Sequence, residues 1–120
     1  MNHLTGTQKK YLRGLAHGKK PVVLIGQKQL TQQVVQEIRQ ALDYHELIKV
    51  KCLDRKEKAD KIEIAEAISQ KTGGELVGMV GHVLILFRQQ PDPEKRKINL
   101  PPPAPPEQAG QVPPSRKDSV

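Results

Sequence analysis

The 120-residue chain carries 20 Lys and Arg against 13 Asp and Glu, a net charge of +7, and its aromatic set is two Tyr and one Phe. That length holds one domain with at most a tail, and the charge favours a polyanionic partner. Three aromatics count against reading single-stranded bases mainly by ring stacking. The single cysteine, Cys52, excludes an intrachain disulfide framework and a zinc site built from several thiolates, and no apolar run approaches the roughly 18 residues of a membrane span.

In chain order, Thr5-Gly6-Thr7-Gln8 fits a capping box, and Tyr11, Leu12 and Leu15 then recur at helical spacing until Gly18 stops the helix. Pro21 leads into Val22-Val23-Leu24-Ile25, an apolar run of buried-strand type. A turn, Gly26-Gln27-Lys28-Gln29, precedes a second helix with Thr31 as its cap and Val34, Val35, Ile38, Ala41 and Leu42 as its apolar stripe. Leu47 to Leu53 reads as a strand. Its alternation puts Leu47, Lys49, Lys51 and Leu53 on one face and Ile48, Val50 and Cys52 on the other.

Asp54-Arg55-Lys56-Glu57 fits a second capping box. It opens a helix whose expected core face is Ile62, Ala65 and Ile68, extended by Ala59 and Thr72, and which Gly73-Gly74 ends. Leu76–Val80 and Val83–Phe87 read as two strands of a hairpin turning at Gly81-His82. The order αβαβαββ predicts an α/β sandwich: a small mixed four-stranded sheet with three helices. Nine of the ten prolines lie between Pro91 and Pro114. The domain is therefore placed at residues 1–90 and a Pro-rich, extended or disordered tail at 91–120.

The charge is concentrated. None of the first 36 residues is acidic, and Lys9, Lys10, Arg13, Lys19, Lys20 and Lys28 fall among them. The Gly26 turn ends this basic stretch at the start of a helix, where open N–H groups and the positive dipole end attract phosphate. Lys49 and Lys51 share a strand face and predict a basic platform beside the turn, with Arg88 at the end of the last strand as an addition to it. The plain alternatives are a solvated basic face kept for solubility and an edge strand guarded by lysines.

The segments Leu15-Ala16-His17, Pro21-Val22-Val23-Leu24-Ile25-Gly26, Leu30-Thr31, Ala41-Leu42-Asp43-Tyr44-His45-Glu46-Leu47-Ile48-Lys49-Val50-Lys51 and Lys97-Ile98-Asn99-Leu100-Pro101 resemble, in the same order, the bacterial YhbY proteins. These are stand-alone CRM domains, named for chloroplast RNA splicing and ribosome maturation. The resemblance covers about residues 4–101. It implies a fold similar to the C-terminal domain of the third translation initiation factor, RNA binding, and association with precursors of the large ribosomal subunit. The family turn is Gly-x-x-Gly. Gly26 and Lys28 match it, while Gln29 stands where the second glycine would allow close approach of another backbone.

Catalysis finds little support. Cys52 and His45 lie seven residues apart with no group to orient the imidazole, so Cys52 is expected to be a small core thiol. His3, His17, His45 and His82 have no metal-ligand spacing. His45-Glu46, where helix becomes strand, suits a structural or capping role. Asp54, Glu57, Asp60, Glu63 and Glu66 alternate with Arg55, Lys56, Lys58 and Lys61 as a salt-bridged solvent face would.

The expectation is thus a cytoplasmic, non-enzymatic RNA-binding protein without metal or cofactor. It would act in large-subunit assembly through backbone-directed binding of ribosomal RNA, with a monomer favoured and no membrane contact. Its candidate contacts are Gly26, Gln27, Lys28, Gln29, Lys9, Lys10, Arg13, Lys19, Lys20, Lys49, Lys51 and Arg88. Two alternatives remain: an adaptor whose Pro-rich tail is the ligand, and a general RNA chaperone or splicing cofactor.

Overall fold

The computed structural model describes residues 4–26, 30–53 and 58–102. Helix α1 (Gly6–Ala16) starts at Thr5, whose hydroxyl accepts the Gln8 N–H at 3.1 Å while the Gln8 side-chain oxygen accepts the Thr5 N–H at 3.0 Å. Both bonds of the capping box are therefore made. Strand β1 (Val23–Ile25) precedes α2 (Gln32–His45), which is capped by the Thr31 hydroxyl accepting from the Val34 N–H. Then come β2 (Leu47–Cys52), α3 (Lys58–Thr72), β3 (Glu75–Val80), β4 (Val83–Phe87) and a 3-10 turn at Pro93–Lys95. The order αβαβαββ stands as expected, with the 3-10 turn added. The second expected capping box, at 54–57, lies outside the described residues, as does the side chain of Ala59.

The sheet runs β1-β2-β4-β3, with β1 parallel to β2 and the other neighbours antiparallel. The alternation read in β2 sorts two cores. Ile48, Val50 and Cys52 join Val23, Ile25, Leu84 and Leu86 beneath Ile38 and Leu42 of α2 and Ile64, Ala65 and Ile68 of α3. On the opposite face Leu47, Val77, Ile85 and Phe87 pack under Leu12 and Ala16 of α1. A three-layer sandwich results, since each face of the sheet must be covered to bury its apolar side chains.

Three details differ from the sequence reading. On α3 the buried stripe runs through Lys61, Ile64, Ala65, Ile68 and Thr72, whereas Ile62 is exposed. Both isoleucines fit a helical period, and Lys61 hides the true stripe because a lysine reads as solvent-facing. Lys61 is not part of a salt-bridged face: its stem is buried and its ammonium donates to the Gly81 carbonyl at 2.6 Å, bracing the β3–β4 turn. In β1, Val23 and Ile25 are buried but Leu24 is exposed, as is Val22 just before the strand. The run reads as a buried strand because all four residues are apolar. Nothing in it reveals that β1 is an edge whose second face α1 leaves uncovered.

The third difference lies beyond residue 90. The chain does not leave the domain there. Ile98 and Leu100 pack with Leu4 against the α1-side core, and the Gln8 side-chain amide donates to the Pro101 carbonyl at 2.9 Å. One buried carboxylate holds this strap. Glu46, 1% exposed, accepts the Gln90 N–H at 2.8 Å on Oε2 and the Lys97 and Ile98 N–H groups at 2.7 and 3.0 Å on Oε1. It also ends α2 in the left-handed region, at φ 66° and ψ −46°, a conformation that costs a non-glycine residue of order 1 kcal/mol or more. Its structural role, expected from its place between helix and strand, is both to cap and to tether. Three charge-assisted bonds offset the backbone cost.

Candidate nucleic-acid interface

The predicted contacts divide by the end of the sheet at which they stand. At one end β1 and β2 finish and β4 begins, so Gly26, Leu53 and the Gly81-His82 turn lie together. The Cys52 N–H donates to the His82 carbonyl and the Leu53 N–H to the Ile25 carbonyl, each at 2.8 Å. Gly26 is described; Gln27, Lys28 and Gln29 lie outside the described residues. The Gly26 backbone is not in the left-handed region, and a Cβ there would meet nothing within 4 Å. The fold itself does not demand glycine at this position. Gly26 follows β1, and the first turn of α2, the next described helix, carries no acidic residue.

Lys49 and Lys51 lie on the α1 side of β2, as their alternation with Val50 requires. The Lys49 ammonium donates to the His17 carbonyl at the end of α1, at 3.5 Å, and Lys51 is exposed. Lys19 and Lys20 are exposed in the connection from α1 to β1, and Lys10 is exposed on α1. Among the described residues no carboxylate pairs with Lys10, Lys19, Lys20, Lys49 or Lys51. These cations are therefore available to an external anion.

Three predicted contacts have partners within the fold. Lys9 stands 3.7 Å from Oε2 of Glu75 on β3. Arg13 lays its stem over Gly78, where a Cβ would come within 2.7 Å of the Arg13 Cδ, and its guanidinium donates to the Val77 carbonyl at 3.1 Å. The slot exists because β3 bulges between Leu76 and Gly78. Arg88 is not brought together with the lysines. It follows Phe87, which pairs with Leu47, whereas Gly26 follows Ile25, which pairs with Cys52. The two are separated by the length of β2, about 20 Å. The Arg88 guanidinium bridges Asp43, the Thr72 carbonyl at 2.6 Å and the Arg39 carbonyl at 3.4 Å, clamping the C-terminal ends of α2 and α3 to β4.

Sequence reasoning missed what surrounds Lys51. Leu24 pairs with Lys51, Lys51 with Val83, and Val83 with Val80. These four residues form one row across all four strands, on the α1 side and at the Gly26 end. The next row inward contains Lys49, Ile85 and Gly78, and the row beyond it Leu47, Phe87 and Glu75. α1 begins over that innermost row, where the Leu4 N–H meets the Glu75 carboxylate at 3.2 Å, and ends beside Lys49. Burial fades accordingly: Leu47, Phe87 and Ile85 are buried, Val83 is half-buried, and Leu24 and Val80 are 52% and 65% exposed. The available signal was the brevity of α1, whose 11 residues span about 16 Å and stop short of a row.

Other candidates for chemistry have structural places. Cys52 is buried among the aliphatic side chains under α2 and α3. His45 meets Tyr44 edge-on, with ring centroids 4.7 Å apart; His17 and His82 are exposed. Among the described residues no group of three or more His, Cys, Asp or Glu is placed to hold a metal ion, and no helix is long and apolar enough to cross a membrane.

Residues 4–88 match the model of the CRS1 / YhbY (CRM) domain. A Haemophilus influenzae protein named "RNA-binding protein" is 42% identical over 101 residues, which are 84% of this chain and 98% of that one. The Bacillus subtilis protein YqeI is 35% identical over 98 residues, 82% of this chain and 99% of its own. The solution structure of a Staphylococcus aureus protein superposes with a TM-score of 0.72 at 37% identity, covering 82% of this chain and all of that one. The chain belongs to the CRS1/YhbY (CRM) family.

Proposed function

We propose that this CRM domain is a non-enzymatic RNA-binding protein of the cytoplasm that grips ribosomal RNA by its backbone and assists assembly of the large ribosomal subunit. The observation that carries the reading is a basic surface without carboxylate partners among the described residues: Lys49 and Lys51 on β2, Lys51 toward the Gly26 end, and Lys19 and Lys20 where the chain approaches β1, together with an α2 first turn that holds no acid. Backbone N–H groups and lysines at such a place suit phosphates, which position an RNA without reading its sequence. The name of the Haemophilus influenzae relative supports RNA as the partner. The resemblance to YhbY proteins supports ribosomal precursors as the RNA.

The deciding experiment is crosslinking in cells followed by sequencing of the bound RNA. The expected result is enrichment of large-subunit precursor sequences. Enrichment elsewhere would replace the ribosomal reading with a general chaperone or splicing role, and an absence of RNA crosslinks would overturn RNA binding altogether.

A further inference from the structure

Resting on the RNA reading, we infer that the uncovered row Leu24, Lys51, Val83 and Val80 is a platform for unpaired nucleotides, so that the RNA bound at the Gly26 end is single-stranded there. Neighbouring strands stand about 4.8 Å apart, so a row of four spans about 14 Å, wide enough for two or three bases laid edge to edge. Three of its four members are aliphatic. Leu53, 56% exposed, continues β2 beyond Lys51 on the same face, and Val22, 49% exposed, lies beside Lys49, whose carbonyl accepts the Val22 N–H at 3.0 Å.

The partner's chemistry follows from the mixture. A double helix presents phosphates and hydroxyls to a sheet, so it would use Lys49 and Lys51 but would press its other polar groups against five exposed or half-buried aliphatics, where they lose water without gaining a hydrogen bond. Unpaired nucleotides offer an apolar π-face and a phosphate at every step. Their bases would cover Leu24, Val80 and Leu53, while Lys51, at the centre of the row, and Lys49 meet the phosphates. Neither of the two outer rows contains a carboxylate, and residues 4–26 contribute none. The face is thus complementary to a polyanion and not to an ordinary mixed-charge protein surface. The platform also supplies from aliphatic side chains the stacking surface that the scarcity of aromatic rings denies the chain.

The test measures affinity of the full chain, at one salt concentration, for a non-self-pairing 12-nucleotide RNA and for a fully paired RNA duplex. The variants are Leu24→Ser/Val80→Ser and the conservative Leu24→Met/Val80→Ile. Both substituted side chains are exposed, so thermal unfolding should stay within about 2 °C of the parent, and circular dichroism checks it. The expected result is about tenfold weaker binding of the single strand by the serine variant, with duplex binding and both affinities of the conservative variant changed less than twofold. Equal losses on both RNAs, or none on either, would overturn the platform. So would sedimentation showing that the parent self-associates and the serine variant does not, which would assign the row to a second copy of the chain. If the parent binds the duplex but not the single strand, the platform fails and RNA binding stands; if it binds neither, both fail.

Discussion

The two ends of the sheet use the same strands and the same residue types to opposite effect. At the Glu46 end three charged side chains are committed within the fold: Glu46 to three backbone N–H groups, Arg88 to Asp43 and the Thr72 and Arg39 carbonyls, Glu75 to Leu4 and Lys9. The strap and the start of α1 close that end over Leu47 and Phe87. At the Gly26 end Lys51 has no described carboxylate beside it, and the aliphatics of the row face solvent. The difference teaches that basicity alone does not mark a contact surface. Arg88 and Lys51 look alike in sequence, one ending β4 and the other lying in β2, yet one is an internal clamp and the other an open cation. If the proposed interface holds, stability and recognition are separated along the strands, and substitutions should sort the same way.

The largest effect is expected at the closed end. Glu46→Ala leaves three backbone donors without their acceptor and should cost roughly 2–4 kcal/mol in chemical unfolding, with faster hydrogen exchange across 90–98. The folded fraction should bind RNA as before. Glu46→Gly should be less severe by about 1 kcal/mol, because it relieves the positive φ that Glu46 adopts. Next, Arg88→Gln should lower stability by about 1–2 kcal/mol and leave RNA affinity within twofold. A loss of affinity as large as that of a lysine reversal at the other end would break the contrast. Lys51→Glu should do the converse, weakening RNA binding by about five- to tenfold at 0.1 M salt, which is ~1 kcal/mol, with an unchanged melting curve. The parent's log affinity should fall with log salt at a slope of about −3 to −5, for four to six phosphates contacted, and the variant's slope should be shallower by about one. Smallest of all, Gly26→Ala should alter stability by less than about 0.5 kcal/mol, since a Cβ there meets nothing within 4 Å. Yet it should weaken RNA binding two- to threefold if a phosphate approaches that backbone; unchanged affinity would move the contact from the backbone to the lysines alone.

The elements were legible where local rules act alone. The Thr5 capping box, the alternation of β2 and the Gly81 hairpin were each set by a few adjacent residues. What escaped depends on residues far apart in the chain. The strand order β1-β2-β4-β3 decides that Leu24, Lys51, Val83 and Val80 form one row, and no periodicity within a segment contains that order. Lys61 was misplaced because its buried stem and its bond to Gly81 join positions 20 residues apart. The strap was hidden by its prolines, which forbid helix and inner strand but not packing: Ile98 and Leu100 need only an apolar neighbour and Glu46 for their backbone. Of the predicted contacts, sequence found the cations but not their commitments, because a lysine's partner is fixed by tertiary distance rather than by neighbours in the chain.

The strap has one more consequence. Leu4 and Pro101 lie within one turn of α1 of each other, through Glu75 and Gln8, so both ends of the described segment stand on the closed end of the domain. A linker, surface anchor or second copy fused directly at Leu4 or at Pro102 would start from the side that faces away from the open row. Two copies on a flexible linker could therefore engage one RNA at once, and avidity would rise by the effective concentration of the second copy without any new contact.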